Sequence, residues 1–244
     1  MSVPTASVLR LPSLPATAGK QHWGNLPGAA LSLAIAEAAS SAKRFTLLLT
    51  ADSQSAERLQ EELSFFAPSL PVLHFPDWET LPYDLFSPHQ DIISQRIAAL
   101  YRLPELKHGI LVVPITTALH RLAPKRFLLG SSLVMQVGQR LEVNQMRVNL
   151  EAAGYRCVDT VYEHGEFAVR GALIDLFPMG SSQPYRIDLF DDEIETLRTF
   201  DPETQRSIDK VESIKLLPAR EFPLEKKAVT DFRGRFRERF DVDF

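Results

Sequence analysis

Two neighbouring segments, residues 165–180 and 185–194, constrain the fold of this chain most. Side chains that are common in strands, such as Phe167 and Val169, fill both segments, and glycine and proline residues such as Gly171 and Pro178 separate them. The pattern predicts two or three short antiparallel strands joined by turns.

The last of these strands has one apolar and one mixed face, since successive side chains of a strand point to opposite sides. The apolar face, which we expect to be buried, carries Tyr185, Ile187 and Leu189. The mixed face carries Arg186, Asp188 and Phe190. The preceding strand divides in the same way, with Phe167 and Val169 on one face and Glu166, Ala168 and Arg170 on the other.

Arginines beside an exposed aromatic ring have the composition of a protein-interface hot spot. Two interpretations of the mixed face stay open at this point. In the first, Phe190 and the arginines bind a partner. In the second, Phe190 packs beneath a loop or a helix and the arginines are solvated. A single apolar residue on a polar face is weak evidence for a binding site, because single exposed apolar residues are common on folded proteins.

Residues 1–127 alternate strands and helices. Strands are predicted at residues 45–50, 70–75 and 109–115, and a helix that Asp52 or Ser53 caps is predicted to run to about Phe66. The third strand is apolar throughout, as parallel strands tend to be. This alternation predicts a right-handed α/β layer.

The loop that opens the first predicted helix does not have the residues of a nucleotide site. A P-loop needs Gly-x4-Gly-Lys-Ser/Thr, because the lysine binds the β- and γ-phosphates and the hydroxyl binds magnesium. Here Gly24 and Gly28 are one residue too close, and Ala29 and Ala30 stand where the lysine and the hydroxyl are needed. We therefore expect a structural loop and no bound nucleotide.

An aromatic, proline-rich loop at residues 75–97 carries five groups that could bind a metal or transfer protons: Asp77, Glu79, Asp84, His89 and Asp91. Their spacing matches no HExxH-like pattern, and the prolines favour a loop over a single ligand-bearing face. We expect a structural loop followed by a helix that ends near Leu103, before Pro104.

The pattern changes at about residue 128, where one short helix at residues 141–153 is followed by a run of strands. Residues 128–218 are therefore predicted to form an α+β domain. They contain nine Lys or Arg against fifteen Asp or Glu, a formal charge of −6. Such an acidic module is a poor binder of duplex DNA, because affinity for DNA comes largely from phosphate neutralisation, so a protein partner is favoured.

Phe232, Phe236 and Phe240 follow one another at intervals of four near the end of the chain, with arginines around them. The spacing predicts an amphipathic helix. We expect it to dock on the first domain, with binding to nucleic acid or a membrane as the alternative. We also expect the chain to be part of a longer protein.

Composition excludes several other classes of protein. The 244 residues have a net charge of −4 and one cysteine, Cys157, which excludes an internal disulfide framework and a cysteine-based zinc site. No apolar run approaches the ~18 residues of a membrane span, and the first residues do not have the pattern of a signal peptide. We expect a cytoplasmic protein.

Six segments together resemble the amino-terminal region of bacterial transcription-repair coupling factor (Mfd), a family that is itself similar there to the excinuclease subunit UvrB. They are residues 77–84 (DWETLPYD), 86–94 (FSPHQDIIS), 163–166 (EHGE), 170–173 (RGAL), 175–180 (DLFPMG) and 190–194 (FDDEI).

The resemblance implies a degenerate RecA/UvrB-like parallel α/β layer with an inserted α+β domain. Residues 1–127 would be the first segment of the layer, residues 128–218 a UvrA-binding domain, and residues 219–244 the start of the returning segment. The partner-binding positions of the family fall on Arg170, Arg186 and Phe190.

The function that the resemblance implies is non-catalytic recruitment of UvrA, which links a stalled RNA polymerase to nucleotide excision repair. No catalytic residue, metal or cofactor is expected in these residues. ATP hydrolysis, DNA translocation and polymerase binding would belong to other regions of the full-length family member. The alternative is a P-loop-type ATPase or helicase fragment with DNA-binding activity.

Overall fold

The computed structural model describes residue 14 and residues 17–81 and 84–242. Pro82 and Tyr83 of the DWETLPYD motif lie outside the described residues. The chain folds as two compact units. The first unit is the part up to Asp77 together with Arg102–His120, and the second is Trp78–Tyr101 together with the part from Arg121 onward.

Seven helices and eleven strands lie in the described residues. The helices are α1 Ala30–Ala42, α2 Ser53–Phe66, α3 Gln90–Arg102, α4 Ile115–Ala118, α5 Lys125–Gly130, α6 Val143–Ala152 and α7 Lys226–Phe240, and a 3-10 turn spans Leu103–Glu105. The strands are β1 Phe45–Thr50, β2 Val72–His74, β3 Gly109–Pro114, β4 Leu133–Gln136, β5 Arg156–Cys157, β6 Glu166–Arg170, β7 Leu173–Leu176, β8 Tyr185–Phe190, β9 Glu193–Phe200, β10 Ser207–Val211 and β11 Ser213–Leu216.

The first unit is a parallel α/β layer. Its three strands have the order β1-β3-β2, and both pairings are parallel. Helices α1 and α2 contribute Ala36, Ala39, Ala56, Leu59 and Leu63 to a core that also includes Ile110 and Val112 of β3. The predicted α/β class is confirmed, whereas the more specific RecA/UvrB-like layering stays a proposal.

The predicted cap of α2 is present. The Asp52 carboxylate accepts a hydrogen bond of 2.7 Å from the backbone N–H of Ser55, and this bond lowers the pKa of Asp52. The loop before α1 turns at Gly28, which has a φ of 55°, and α1 begins at Ala30. A backbone position with a positive φ favours glycine. The turn by itself therefore explains why residue 28 is a glycine, and a bound phosphate is not needed to explain it.

The second unit contains two sheets. Six strands in the order β10-β9-β8-β7-β6-β5 form the larger sheet, which is antiparallel except for the β5–β6 pair. Strands β4 and β11 form an antiparallel ribbon. The inner face of the large sheet packs on α6 and on this ribbon through a core that includes Phe167, Ile174, Leu176, Ile187 and Leu197. The mixture of helices and antiparallel strands matches the predicted α+β character of this region.

Helix α3 up to Tyr101 belongs to the second unit, whereas the sequence prediction placed it in the first domain. Its Ser94 hydroxyl accepts a hydrogen bond of 2.8 Å from the backbone N–H of Gly180. Gly180 has a φ of 78°, and a Cβ atom there would lie 3.2 Å from the Cβ of Ala98. The predicted domain division at residues 127 and 218 stays a prediction.

The predicted amphipathic helix is present as α7. No described residue of α7 is buried, and Phe232 and Phe240 are exposed. Neighbouring rings of the stripe lie close together, with centroids 5.8 Å apart for Phe232 and Phe236 and 4.6 Å apart for Phe236 and Phe240. Docking of this helix on the first domain stays a prediction. Among the described residues, no helix is long and apolar enough to cross a membrane.

Candidate partner-binding site

The outer face of the large sheet, opposite the core, carries all three predicted partner-binding residues. The strand register forms two rows across β6, β7, β8 and β9. One row is Ala168, Asp175, Arg186 and Arg198, and the next is Arg170, Leu173, Asp188 and Thr196. The predicted alternation is confirmed in β8, where Ile187 and Leu189 are buried and Phe190 is exposed.

One end of this face is covered, which the alternation did not predict. Val161, Ala168, Phe177 and Phe200 form a small second core on the outer side of the sheet. The Glu166 carboxylate, which strand alternation placed on the same face as Arg170, is buried and accepts hydrogen bonds of 2.9 Å from the backbone N–H groups of Tyr162 and Glu163. Residues 158–163 therefore cover this end of the face, and Glu166 and Ala168 are structural.

Arg186 is held on several sides and is not a solvated arginine. Its Nε and Nη2 donate to the two carboxylate oxygens of Asp175 at 2.7 and 2.9 Å, and its Nη1 donates to the carbonyl oxygen of Gln205 at 3.0 Å. The guanidinium also lies 4.8 Å from the centroid of the Phe200 ring. Hydrogen bonding to Asp175 raises the pKa of Arg186, and 15% of its side chain is exposed.

Asp175 lies beneath both predicted arginines. Its carboxylate is fully buried and accepts a further hydrogen bond from Nη2 of Arg170. The Arg170 side chain remains 46% exposed. A buried carboxylate requires paired charges and hydrogen bonds, and the two arginines provide both.

Phe190 lies at the tip of the hairpin formed by β8 and β9, where Asp191 adopts a φ of 57°. It is 74% exposed, so it does not pack beneath a loop or a helix among the described residues. An exposed aromatic side chain on an ordered hairpin is a natural anchor for a partner, because it buries a large apolar area at little cost in conformational entropy.

Two further basic residues, Arg198 and Lys210, lie near Arg170. Together with Leu173, Asp188 and other residues they line an open depression of about 730 Å³. The Nε of Arg198 is buried and has no hydrogen-bond partner among the described residues. The sequence analysis did not single out these residues, although strand alternation from Thr196 to Arg198 was a signal that could have found Arg198.

The acidic groups of the 75–97 loop have structural contacts. Asp77 accepts from the hydroxyls of Thr116 and Thr117 at 2.8 and 2.9 Å. Asp84 accepts from the backbone N–H of Leu81 at 2.7 Å, and Asp91 contacts Nδ1 of His164 at 2.7 Å. Within the described ranges, no group of three His, Cys, Asp or Glu side chains is placed to hold a metal ion. These contacts agree with a structural loop.

The second unit contains a domain of a known class. The sequence model of the UvrB interaction domain family matches residues 133–222, which include the large sheet, the ribbon and α6.

Comparison with curated proteins gives the more specific relationship. The chain is 52% identical over 231 residues to the transcription-repair-coupling factor of Escherichia coli K12, covering 94% of the chain and 20% of that protein. The corresponding protein of Haemophilus influenzae is 52% identical over 217 residues, covering 89% of the chain and 19% of that protein. The Bacillus subtilis protein is 30% identical over 211 residues, covering 86% of the chain and 18% of that protein.

The chain therefore belongs with the amino-terminal region of the transcription-repair-coupling factors, the family that its motifs resemble. It spans about a fifth of the length of these curated relatives.

Proposed function

We propose that this chain recruits the excinuclease subunit UvrA as a non-catalytic module of a transcription-repair coupling factor. The match to the UvrB interaction domain and the similarity to transcription-repair-coupling factors support a role in coupling transcription to repair. The finer assignment, UvrA as the direct partner, follows from the resemblance of the motifs to that family.

One structural observation carries the assignment of the site. Phe190 and Arg170 are both exposed on the outer face of one sheet, while the opposite face of that sheet is buried in the core. An aromatic anchor beside a guanidinium is the combination that dominates the energetics of many protein interfaces. The proposed contact residues are Arg170, Arg186 and Phe190, and Arg186 also has a structural role.

The remaining activities would belong to other parts of the full-length coupling factors. RNA polymerase and DNA would be bound there, and ATP would be hydrolysed there. The residues of this chain would then need no metal or cofactor, and the setting would be the bacterial cytoplasm.

Titration of the 244-residue chain with purified UvrA tests the proposal. We expect Arg170→Ala, Arg186→Ala and Phe190→Ala each to weaken binding by about 1–4 kcal/mol, the range of interface hot spots. Binding is measured by calorimetry, and the folded state of each variant is checked by thermal unfolding.

Two matched variants serve as controls. Arg147→Ala removes an exposed arginine from α6, and Phe65→Ala removes an exposed phenylalanine from α2. Both should bind UvrA like the native chain. Equal binding by the native chain and all three site variants would show that the site is elsewhere, and no binding by the native chain would contradict UvrA recruitment.

A further inference from the structure

Asp175 connects the two arginines of the proposed site. It is fully buried in the middle of the outer sheet face, directly opposite Arg186 in the β7–β8 register. The Asp175 carboxylate therefore contacts two arginines of different exposure. The Arg186 side chain is 15% exposed and the Arg170 side chain is 46% exposed.

The two arginines differ in what else holds them. Arg186 contacts both oxygens of Asp175, a backbone carbonyl at residue 205 and the ring of Phe200. Such a planar bidentate pair is rigid, because two parallel hydrogen bonds fix the orientation of both groups. Arg170 uses one terminal nitrogen on the same carboxylate and keeps much of its guanidinium at the surface.

We propose that Asp175 is a positioning residue, which orders the Arg170 guanidinium for the partner before binding, with Arg186 serving mainly to hold Asp175 in place. An unattached arginine at a surface loses rotamer freedom when a partner immobilises it, and that loss weakens binding. A carboxylate that already orders the side chain removes part of this cost. The inference rests on the proposed function and assigns different roles to two of its residues.

Positioning predicts that removal of the Asp175 carboxylate weakens partner binding, whereas electrostatic attraction alone predicts that it strengthens binding. Asp175 offsets positive charge on the face, so its removal would leave Arg170 more attractive to acceptor groups of the partner. The sign of the change in affinity on replacing Asp175 by Asn therefore distinguishes positioning from simple charge attraction.

A double-mutant cycle in the 244-residue chain tests the inference. UvrA is titrated with the native chain, Asp175→Asn, Arg170→Ala and the double variant. We expect Asp175→Asn to weaken binding about tenfold, the effect of losing one ordered side chain. In the Arg170→Ala background, the same substitution should have an effect of at most about twofold, because its target is gone.

Glu151→Gln is the matched control, since it also turns an arginine-paired carboxylate into an amide but lies on α6, on the opposite side of the sheet, 3.3 Å from Nε of Arg147. It should bind within about twofold of the native chain. Unchanged or tighter binding by a folded Asp175→Asn variant, or effects that multiply in the double variant, would overturn the inference while UvrA recruitment stands.

A second measurement needs neither UvrA nor a variant that folds without Asp175. Side-chain NMR relaxation of the Arg170 Nε–H group in the free native chain, assigned with Arg170→Lys, reports its order. We expect an order parameter near that of rigid backbone, about 0.85. A value below about 0.6, typical of flexible groups, would overturn positioning whether or not UvrA binds.

Discussion

Arg170 and Arg186 lie on one face of one sheet, yet their surroundings give them different roles. Strand alternation placed both on the mixed face, and that placement is confirmed by the register of β6, β7 and β8. Their difference comes from residues far along the chain, because Phe200 and Gln205 contact Arg186. The Arg186 side chain is therefore part of the fold as well as a candidate contact.

We predict that Arg186→Ala lowers the free energy of unfolding by about 2–4 kcal/mol, because it leaves the buried Asp175 with one arginine. Arg170→Ala should cost less than about 1 kcal/mol, since its side chain is nearly half exposed and Arg186 still pairs the carboxylate. Urea unfolding at neutral pH measures both, with Arg147→Ala as the reference. The prediction is wrong if Arg186→Ala is as stable as Arg147→Ala.

At the scale of elements, α3 shows how one helix is tied to the second unit. Its Arg96 side chain is fully buried and forms an ion pair with Glu221, with Nη2 of Arg96 3.2 Å from Oε2 of Glu221. The indole N–H of Trp78 donates to the same carboxylate at 3.0 Å, and Arg96 lies 4.6 Å from the Trp78 ring centroid. Periodicity predicted this helix but not its location, because a buried arginine has no signature in hydrophobic spacing.

We predict that Glu221→Ala destabilises the chain by about 3–5 kcal/mol, because it removes a buried carboxylate that pairs with the buried Arg96 guanidinium and accepts the Trp78 indole N–H. The double variant Arg96→Met/Glu221→Leu should cost less than the single variant, since both charges are removed and apolar volume is kept. Urea unfolding of the three proteins provides the measurement. A double variant less stable than Glu221→Ala would contradict this account of the pair.

At the scale of the whole molecule, the two units are built on sheets of different types. The first unit has the parallel sheet of β1, β2 and β3, and the second unit has the six-stranded sheet from β5 to β10, which is antiparallel except for the β5–β6 pair. The loop before α1 belongs to the first unit, and its Ala29 and Ala30 stand at the positions where a P-loop would need a lysine for phosphate and a hydroxyl for magnesium.

We predict that ATP with magnesium leaves the thermal unfolding midpoint of this chain unchanged. A ligand at ~100 times its dissociation constant would stabilise the folded state by about 2.7 kcal/mol, which thermal scans detect readily. Scans without nucleotide and with magnesium alone provide the controls. A rise in the midpoint that depends on ATP concentration would support the alternative of an ATPase fragment.

Local patterns in the sequence by themselves determined the α/β class of the first unit, the start of α2 at Asp52 or Ser53, the stripe on α7 and the position of Phe190 on the mixed face of β8. These features depend on spacing and composition over a few residues, where helical and strand periodicities act directly. The motifs also determined the family, because several of them occur together.

Tertiary structure alone decided which polar residues of the mixed face are structural. Glu166 and Asp175 are buried because residues 158–163 and the second core around Phe200 cover part of the sheet, and strand alternation cannot predict a cover that comes from distant chain. The same holds for Arg96 and Glu221, which lie 125 residues apart. Long-range contacts satisfy buried charges, so the partners of such charges become visible only when the chain is folded.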